Sequence, residues 1–242
     1  YTPLFLSSAA LCSLGLLCII PIINPPIVTK PTNSKNDNFW QILTSPRVRI
    51  PAIVLLLSGL TLGSLHTFIS LFIKSTGVDL NPGLFFTAAA VSSFSCRLFT
   101  GKASDRYGRG LFVTMSLIAY TFSVICVWQA NNSFMFLLGA FMEGAASGTL
   151  IPMISVLMTD RALPHERGRI FGASLMGFDI GLAIAGPIFG TFAETLGYRN
   201  MFGLTTGLTV IAMIIFLTQS SRNIPQSLRF ALGRTEDIYA VK

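Results

Sequence analysis

Long apolar runs separated by short polar connections are the feature that most constrains how this chain folds. A helix needs about 20 mostly apolar residues to cross a bilayer. Seven runs reach that length: residues 2–23, 50–73, 83–101, 111–129, 133–158, 169–193 and 199–219. Because lipid offers no water to the backbone polar groups, runs of this length predict helices. The expected fold is all-α, a polytopic transmembrane bundle of about seven helices.

The amount and placement of charge exclude several classes of protein. Charged residues make up 11% of the 242 residues, against about 25% in a soluble domain. The net charge of +7 lies in the connections between apolar runs rather than in a patch beside a soluble core, which argues against nucleic-acid binding. The chain has no phosphate-binding loop for ATP, and its four cysteines lack metal-ligand spacing. We expect no enzyme activity, no metal and no cofactor.

The basic residues alternate between the two sides of the predicted membrane. Fifteen of the 17 fall on one side and two on the other. The first group is Lys30, Lys35, Arg47, Arg49, Arg97, Lys102, Arg106, Arg109, Arg161, Arg167, Arg169, Arg222, Arg229, Arg234 and Lys242, and the second is Lys74 and Arg199. By the positive-inside rule the richer side is cytoplasmic. The pattern predicts a multi-pass protein of the plasma or inner membrane, with a cytoplasmic C-terminus.

One segment interrupts the succession of apolar runs. Residues 24–38 are rich in Pro, Asn, Ser and Lys, which is typical of a flexible linker. The expected organisation is a single helix at 1–23, a cytoplasmic linker at 24–49, a six-helix bundle at 50–219 and a cytoplasmic tail at 220–242. Because the chain begins with Tyr1 inside an apolar run, we interpret the sequence as truncated.

The most specific motif lies between the third and fourth runs. It reads Gly101-Lys-Ala-Ser-Asp105-Arg106-Tyr-Gly108-Arg109-Gly110, and residues 101–110 are called the signature segment below. It resembles the G-x-x-x-D-R-x-G-R-[RK] signature of the major facilitator superfamily, with Gly110 where a basic residue is usual. That family carries the signature after its second helix and again after its eighth. A linker followed by six helices implies the second copy, in a chain that corresponds to helices six to twelve.

The resemblance implies that the signature segment takes part in gating rather than in substrate binding. Gly101 and Gly108 would allow a tight turn and close approach of the backbones. Asp105 would lie against a helix N-terminus or pair with an arginine. Arg97 would either extend toward the membrane interface or pair with Asp105.

A second resemblance follows the signature segment. Residues 166–169 read Glu-Arg-Gly-Arg, as family members often do before their eleventh helix. Gly181, Gly186-Pro187 and Gly190 follow in a spacing related to a motif of efflux members, and we interpret them as a packing and bending element. Phe39-Trp40 and residues 77–85 also resemble sugar-efflux and drug-efflux permeases.

Three ionisable residues lie well inside predicted spans. A charge at the centre of a membrane helix costs at least about 2.5–3.5 kcal/mol, so each is a functional candidate. Glu143 lies roughly 15 Å and Asp179 roughly 14 Å from the start of its span, at 1.5 Å per residue. His66 lies on a stripe with Gly59 and Gly63. We predict that Glu143, Asp179 and His66 bind substrate or carry protons, and the competing interpretation is hydrogen bonding within helix packing.

The sequence as a whole favours a secondary transporter that works by alternating access. We expect proton-coupled efflux of a small organic molecule, with the lipid bilayer and a missing N-terminal half of the same chain as further partners. Two alternatives stay open. One is a seven-helix receptor or photoreceptor, although no Lys lies mid-membrane to carry retinal. The other is a truncated gene product that does not transport.

Overall fold

The computed structural model describes residues 2–19, 39–164 and 166–241. The chain divides into two units, residues 1–36 and 37–242, which are considered separately. In the first unit, helix α1 covers Thr2–Ile19, and its apolar stretch Phe5–Cys18 is shorter than the length that crosses a bilayer. The predicted span at 2–23 and the linker at 24–38 fall partly or wholly outside the described residues, so both stay predictions.

The second unit is helical, and no strand occurs among its described residues. Its helices are α2 (Phe39–Thr44), α3 (Arg49–Thr76), α4 (Pro82–Tyr107), α5 (Arg109–Trp128), α6 (Ser133–Asp160), α7 (Arg167–Gln219) and α8 (Ile224–Ala231). Five of them, α3 to α7, are long and apolar enough to cross a membrane. The all-α transmembrane fold expected from the sequence is confirmed.

Helix α7 contains two of the predicted spans. Within its 53 residues, Gly197 has a non-helical backbone with φ 79° and ψ 158°. Just after this break, Arg199 donates hydrogen bonds to the carbonyl oxygens of Trp128 and Ala130 at the end of α5. The other end of α7 lies by Arg161, which donates to the carbonyl of Ser220. The chain therefore reverses at Gly197, as the predicted boundary between 193 and 199 requires.

The helices consequently run up and down between two ends of the bundle. One end, called the basic end, holds the start of α3, the α4–α5 turn, the end of α6 and the C-terminal residues. Its segments are joined by hydrogen bonds such as that from Arg161 to the carbonyl of Arg47. At the opposite end, the hydroxyl of Ser133 donates to the carbonyl of Asp79, joining α6 to the α3–α4 connection. The described members of the group of basic residues that sequence analysis placed on one side thus lie toward one end of the bundle.

Glycines set the closest contacts between helices. A Cβ on Gly181 of α7 would overlap the carbonyl of Leu56 in α3, and one on Gly59 would overlap the carbonyl of Phe178. A Cβ on Gly144 of α6 would overlap the backbone of Ala89 in α4. Backbones at this distance exclude any side chain. The pairs α3–α7 and α4–α6 are therefore in direct backbone contact.

Three segments between or after the predicted spans have more structure than the apolar pattern indicates. The signature segment is helical as far as Tyr107, so the loop shrinks to a turn at Gly108. Within residues 39–49, Ile42 and Val48 are buried. In the tail, Phe230 and Ala231 of α8 are buried. In the last two cases apolar side chains gain burial against the basic end, a driving force that the lengths of apolar runs do not show.

Candidate functional site

A cavity of about 210 Å³ opens between α3, α4 and α6. It brings together two of the three ionisable residues predicted from the sequence, Glu143 and His66. Its lining residues are Leu62, His66, Phe86, Ala89, Ala90, Ser93, Glu143 and Ser147. The walls are largely apolar with a few polar groups, as in small-molecule sites generally.

Glu143 is placed in this cavity by the packing of α6. The residue after it, Gly144, lies against the backbone of Ala89, which brings α4 close to the carboxyl group. Gly139, one turn before, faces Val127 and Ser123 of α5. Glu143 is 3% exposed and has no ion pair among the described residues. Ser147, one turn later, lines the same cavity, and its hydroxyl donates to the carbonyl of Gly144.

His66 lies at the more open side of the same cavity. Its side chain is exposed on α3, and its ring meets Phe86 edge-on, with centroids 5.6 Å apart and an interplanar angle of 82°. The neighbouring turn of α3 is held against α7 by Gly63, where a Cβ would meet Ala185 and the Leu182 backbone. The glycine stripe that His66 shares is thus a packing surface, and His66 itself is turned toward the cavity.

Asp179 does not join this cavity. It is exposed on α7 and makes no hydrogen bond or ion pair with any described residue. In the packing element beside it, Gly181 makes a close backbone contact with α3. Around Gly186 a Cβ would meet nothing within 4 Å, and at Gly190 it would make only ordinary contact with Phe68. Pro187 lies inside α7, which continues through it.

Sequence reasoning missed the part of the site contributed by α4. Phe86, Ala89, Ala90 and Ser93 line the cavity. The available signal was the run of small and hydroxyl residues at 87–93, because such residues in a membrane helix indicate a face that packs against protein. Tyr120 of α5 was also missed. Its hydroxyl is buried and has no hydrogen-bond partner among the described residues.

The signature segment lies at the basic end, away from the cavity. Arg109 forms an ion pair with Asp160 at the end of α6 and lies 3.7 Å from the carboxylate of Asp105. It also donates to the carbonyl of Val156 at 3.0 Å. The structure therefore pairs Asp105 with Arg109, and Arg97 is exposed without a partner among the described residues. These contacts join the α4–α5 turn to the end of α6.

The other residues of the signature segment differ in their surroundings. Gly108 has φ 89°, a conformation that favours glycine, and forms the turn between α4 and α5. Arg106 lies over the ring of Tyr107, 5.6 Å from its centroid. Gly101 is exposed within α4, and a Cβ there would meet nothing within 4 Å. The close approach predicted at Gly101 is not made to any described residue.

Comparison with known proteins agrees with this architecture. The chain is 25% identical over 222 residues to an uncharacterized MFS-type transporter of Salmonella typhimurium, covering 88% of this chain and 56% of that protein. It is 28% identical over 186 residues to a triacylglyceride transporter of Mycolicibacterium hassiacum, covering 72% and 35%. An uncharacterized MFS-type transporter of Pseudomonas aeruginosa is 28% identical over 170 residues, covering 69% and 42%. The chain thus spans about half or less of these relatives.

The family assignment follows from the extent of the match. The sequence model of the Major Facilitator Superfamily matches residues 51–235, which include every helix from α3 to α8 apart from the first two residues of α3. The match favours a transporter over a seven-helix receptor. It also agrees with a multi-pass bundle whose described helices are long enough to cross a bilayer. This chain belongs to the Major Facilitator Superfamily.

Proposed function

We propose that the chain forms the C-terminal half of a secondary transporter that moves a small organic molecule by alternating access, with Glu143 as the proton-coupling group. Residues 50–219 would be one bundle, and the other would be supplied by the N-terminal half of the same protein. In such transporters the substrate site lies near the middle of the membrane between two bundles. The cavity around Glu143 is the candidate for this chain's share of that site.

The burial of Glu143 within a membrane helix is the observation that carries the proposal. A carboxyl group in that position is costly, and such residues mark ion and substrate pathways. Close packing of α6 against α4 at Gly144 fixes Glu143 beside an apolar cavity rather than in lipid. A group that gains and loses a proton there would couple proton movement to the occupancy of the cavity.

His66 and Asp179 take different places in this proposal. His66 shares the cavity with Glu143 and is exposed, so it would relay protons or contact substrate at the cavity mouth. Asp179 lies on the exposed face of α7. It would serve as a second coupling group only if the N-terminal bundle completes a site around it.

The direction of transport and the membrane rest on separate observations. The excess of basic residues at one end of the bundle supports a cytoplasmic basic end and C-terminus, in a plasma or inner membrane. Efflux rests on the resemblance to sugar-efflux and drug-efflux permeases. A relative named as a triacylglyceride transporter and the apolar wall formed by Leu62, Phe86 and Ala89 both support testing lipids and other apolar molecules as substrates.

Substitution of Glu143 by Gln is expected to abolish transport driven by a proton gradient. The amide keeps the size of the side chain but cannot exchange a proton, so coupling is lost while packing is retained. The full-length protein would be reconstituted in vesicles with an imposed pH gradient and tested with drugs, sugars and lipids. Gradient-driven flux should fall to the level of protein-free vesicles.

Two further variants make this result specific. Glu194→Gln removes a charge from an exposed position on α7 outside the cavity and should transport as wild type. Asp179→Asn tests the second candidate. Wild-type flux in Glu143→Gln, with flux lost in Asp179→Asn, would move the coupling group to α7. Wild-type flux in both variants would make the two acids structural and contradict the proposal for this half.

A further inference from the structure

We propose that residues 224–241, called the C-terminal segment, dock on the signature segment and hold it in position. We further propose that Arg161 anchors the C-terminal segment to the bundle. The inference rests on the proposed function only in so far as the signature segment takes part in gating. The contacts themselves lie within the described residues. They involve a buried ion pair, a set of glycines and the end of α6.

The anchor is a buried arginine that sequence analysis counted only as a loop charge. Arg161 is 1% exposed and is the largest fully buried side chain of the described bundle. Its guanidinium binds both carboxylate oxygens of Asp237, at 2.5 and 3.0 Å. It also donates to the carbonyls of Arg47 and Ser220, at 2.9 and 3.3 Å. A two-pronged bond of this kind suits arginine and fixes orientation as well as distance.

Aromatic rings complete the surroundings of the anchor. The guanidinium carbon of Arg161 lies 5.1 Å from the ring centroid of Tyr239 and 5.9 Å from that of Phe230. Both rings belong to the C-terminal segment, and such contacts attract a cation. Phe230 also packs against Phe216 near the end of α7, with centroids 6.2 Å apart. The segment is thus held to the bundle by charge and by apolar contact together.

The contact between the C-terminal segment and the signature segment is formed by glycines on both sides. A Cβ on Gly110 would overlap the carbonyl of Phe230, and a Cβ on Gly233 would overlap the carbonyl of Tyr107. Gly108 and Gly233 lie with backbones in contact, and the hydroxyl of Thr114 donates to the carbonyl of Ala231 at 2.9 Å. The segment therefore lies directly on the turn between α4 and α5.

This contact explains the unusual residue at the end of the signature segment. The family signature ends on a basic residue, whereas this chain has Gly110. Any side chain at that position would overlap the backbone of Phe230. Glycine is therefore required while the C-terminal segment is docked. Gly110 thus departs from the family pattern at the position where the C-terminal segment docks.

The end of α6 connects the C-terminal segment to the ion pair of the signature segment. Asp160 pairs with Arg109, and its backbone carbonyl accepts a hydrogen bond from the amide of Val241 at 2.8 Å. Arg161, the next residue, holds Asp237. Two adjacent residues, Asp160 and Arg161, therefore bind the signature segment and the C-terminal segment, respectively. Releasing the segment would free the end of α6, so the Arg109–Asp160 pair would lose a fixed partner.

The test measures access to a buried position beneath the segment. Ser104 is buried and lines a cavity together with Phe230, Thr235 and Ala240. In a cysteine-free full-length protein, Ser104→Cys would be combined with Asp237→Asn, and reaction with a membrane-impermeant maleimide would be followed from the basic side. Loss of the charged bond should raise the labelling rate about tenfold or more, because the rate follows the population of the released state.

A second reporter separates release of the segment from general loosening. Ala130 is buried at the opposite end, and Ala130→Cys, exposed to the same reagent from that end, should label at the same slow rate with and without Asp237→Asn. Gly110→Ala should also raise the labelling rate at position 104, because it disturbs the contact with Phe230 while the Arg161–Asp237 ion pair is kept. Gly168→Ala, where a Cβ meets nothing within 4 Å, should not. Faster labelling at both reporters, or at neither, would overturn the proposal.

Transport measured on the same variants distinguishes this inference from the proposed function. We expect Asp237→Asn to lower the maximal flux and leave the substrate KM unchanged, since the Glu143 cavity does not include this end. Arg161→Lys should leave the cysteine at position 104 less protected from labelling than in wild type, because Lys cannot form the two-pronged bond. A thiol at position 104 that stays protected in Asp237→Asn, together with normal flux, refutes the inference alone. Slow labelling in wild type and release in the variant, with no substrate transported by either, refutes the proposed function alone.

Discussion

Replacing Arg161 by Met should lower the free energy of unfolding of the bundle by about 3–5 kcal/mol, the range for breaking one side of a buried ion pair. The variant removes the cation that pairs with Asp237, whose side chain is only 11% exposed. It also removes donors from the carbonyls of Arg47 and Ser220. The measurement is denaturant-induced unfolding of the purified protein in mixed micelles.

A double variant identifies the cause of this loss. Arg161→Met combined with Asp237→Leu removes both charges and should recover much of the stability, because an apolar pair of similar volume often replaces a buried ion pair without cost. Arg222→Met serves as the matched control, since Arg222 is exposed at the same end and makes no hydrogen bond or ion pair with the described residues. A loss in Arg222→Met equal to that in Arg161→Met would show that net charge, and not the buried pair, sets the stability.

Gly144→Val should be the most damaging single change in the helix packing. A Cβ at this position would overlap the backbone of Ala89, and a backbone segment cannot move aside as the tip of a side chain can. Overpacking costs typically 1–3 kcal/mol and occasionally more, and here we expect about 3 kcal/mol or more. Separation of α4 from α6 would also open the wall of the Glu143 cavity, so surviving protein should not transport. Thermal unfolding and vesicle flux would measure the two effects.

The matched control for this variant is Gly207→Val. Gly207 is exposed on α7, and a Cβ there would meet nothing within 4 Å. It carries the same change of side chain within a membrane helix and should stay within about 0.5 kcal/mol of wild type, as surface substitutions generally do. Equal stability of the two variants would mean that the α4–α6 contact is looser than the structure shows.

Both predictions concern residues that position other parts of the bundle. Gly144 determines how closely α4 approaches Glu143, and Arg161 determines what lies on the signature segment. Neither residue is itself expected to contact substrate. The bundle thus combines a cavity, whose shape depends on close backbone contacts, with a basic end that is tied together by ion pairs across distant parts of the chain.

The sequence was sufficient for the long apolar helices of the second unit and for their alternation between its two ends. An apolar run of about 20 residues can satisfy its backbone in lipid only as a helix, so run length alone predicts the element. The reversal at Gly197 was also predicted, because the apolar pattern pauses there. Glu143 was identifiable for a similar reason, since a carboxyl in an apolar run is costly wherever its neighbours lie.

Contacts between residues far apart in sequence depended on the tertiary structure. No local pattern shows that Asp237 would meet Arg161, that Phe230 would lie on Gly110, or that His66 and Glu143 would share a cavity while Asp179 would not. Helix periodicity gives the face of a residue, but the partner of that face is decided by which helices pack together and at what rotation. Here glycines at the α3–α7 and α4–α6 contacts contribute to that choice, because they let those backbones approach closely.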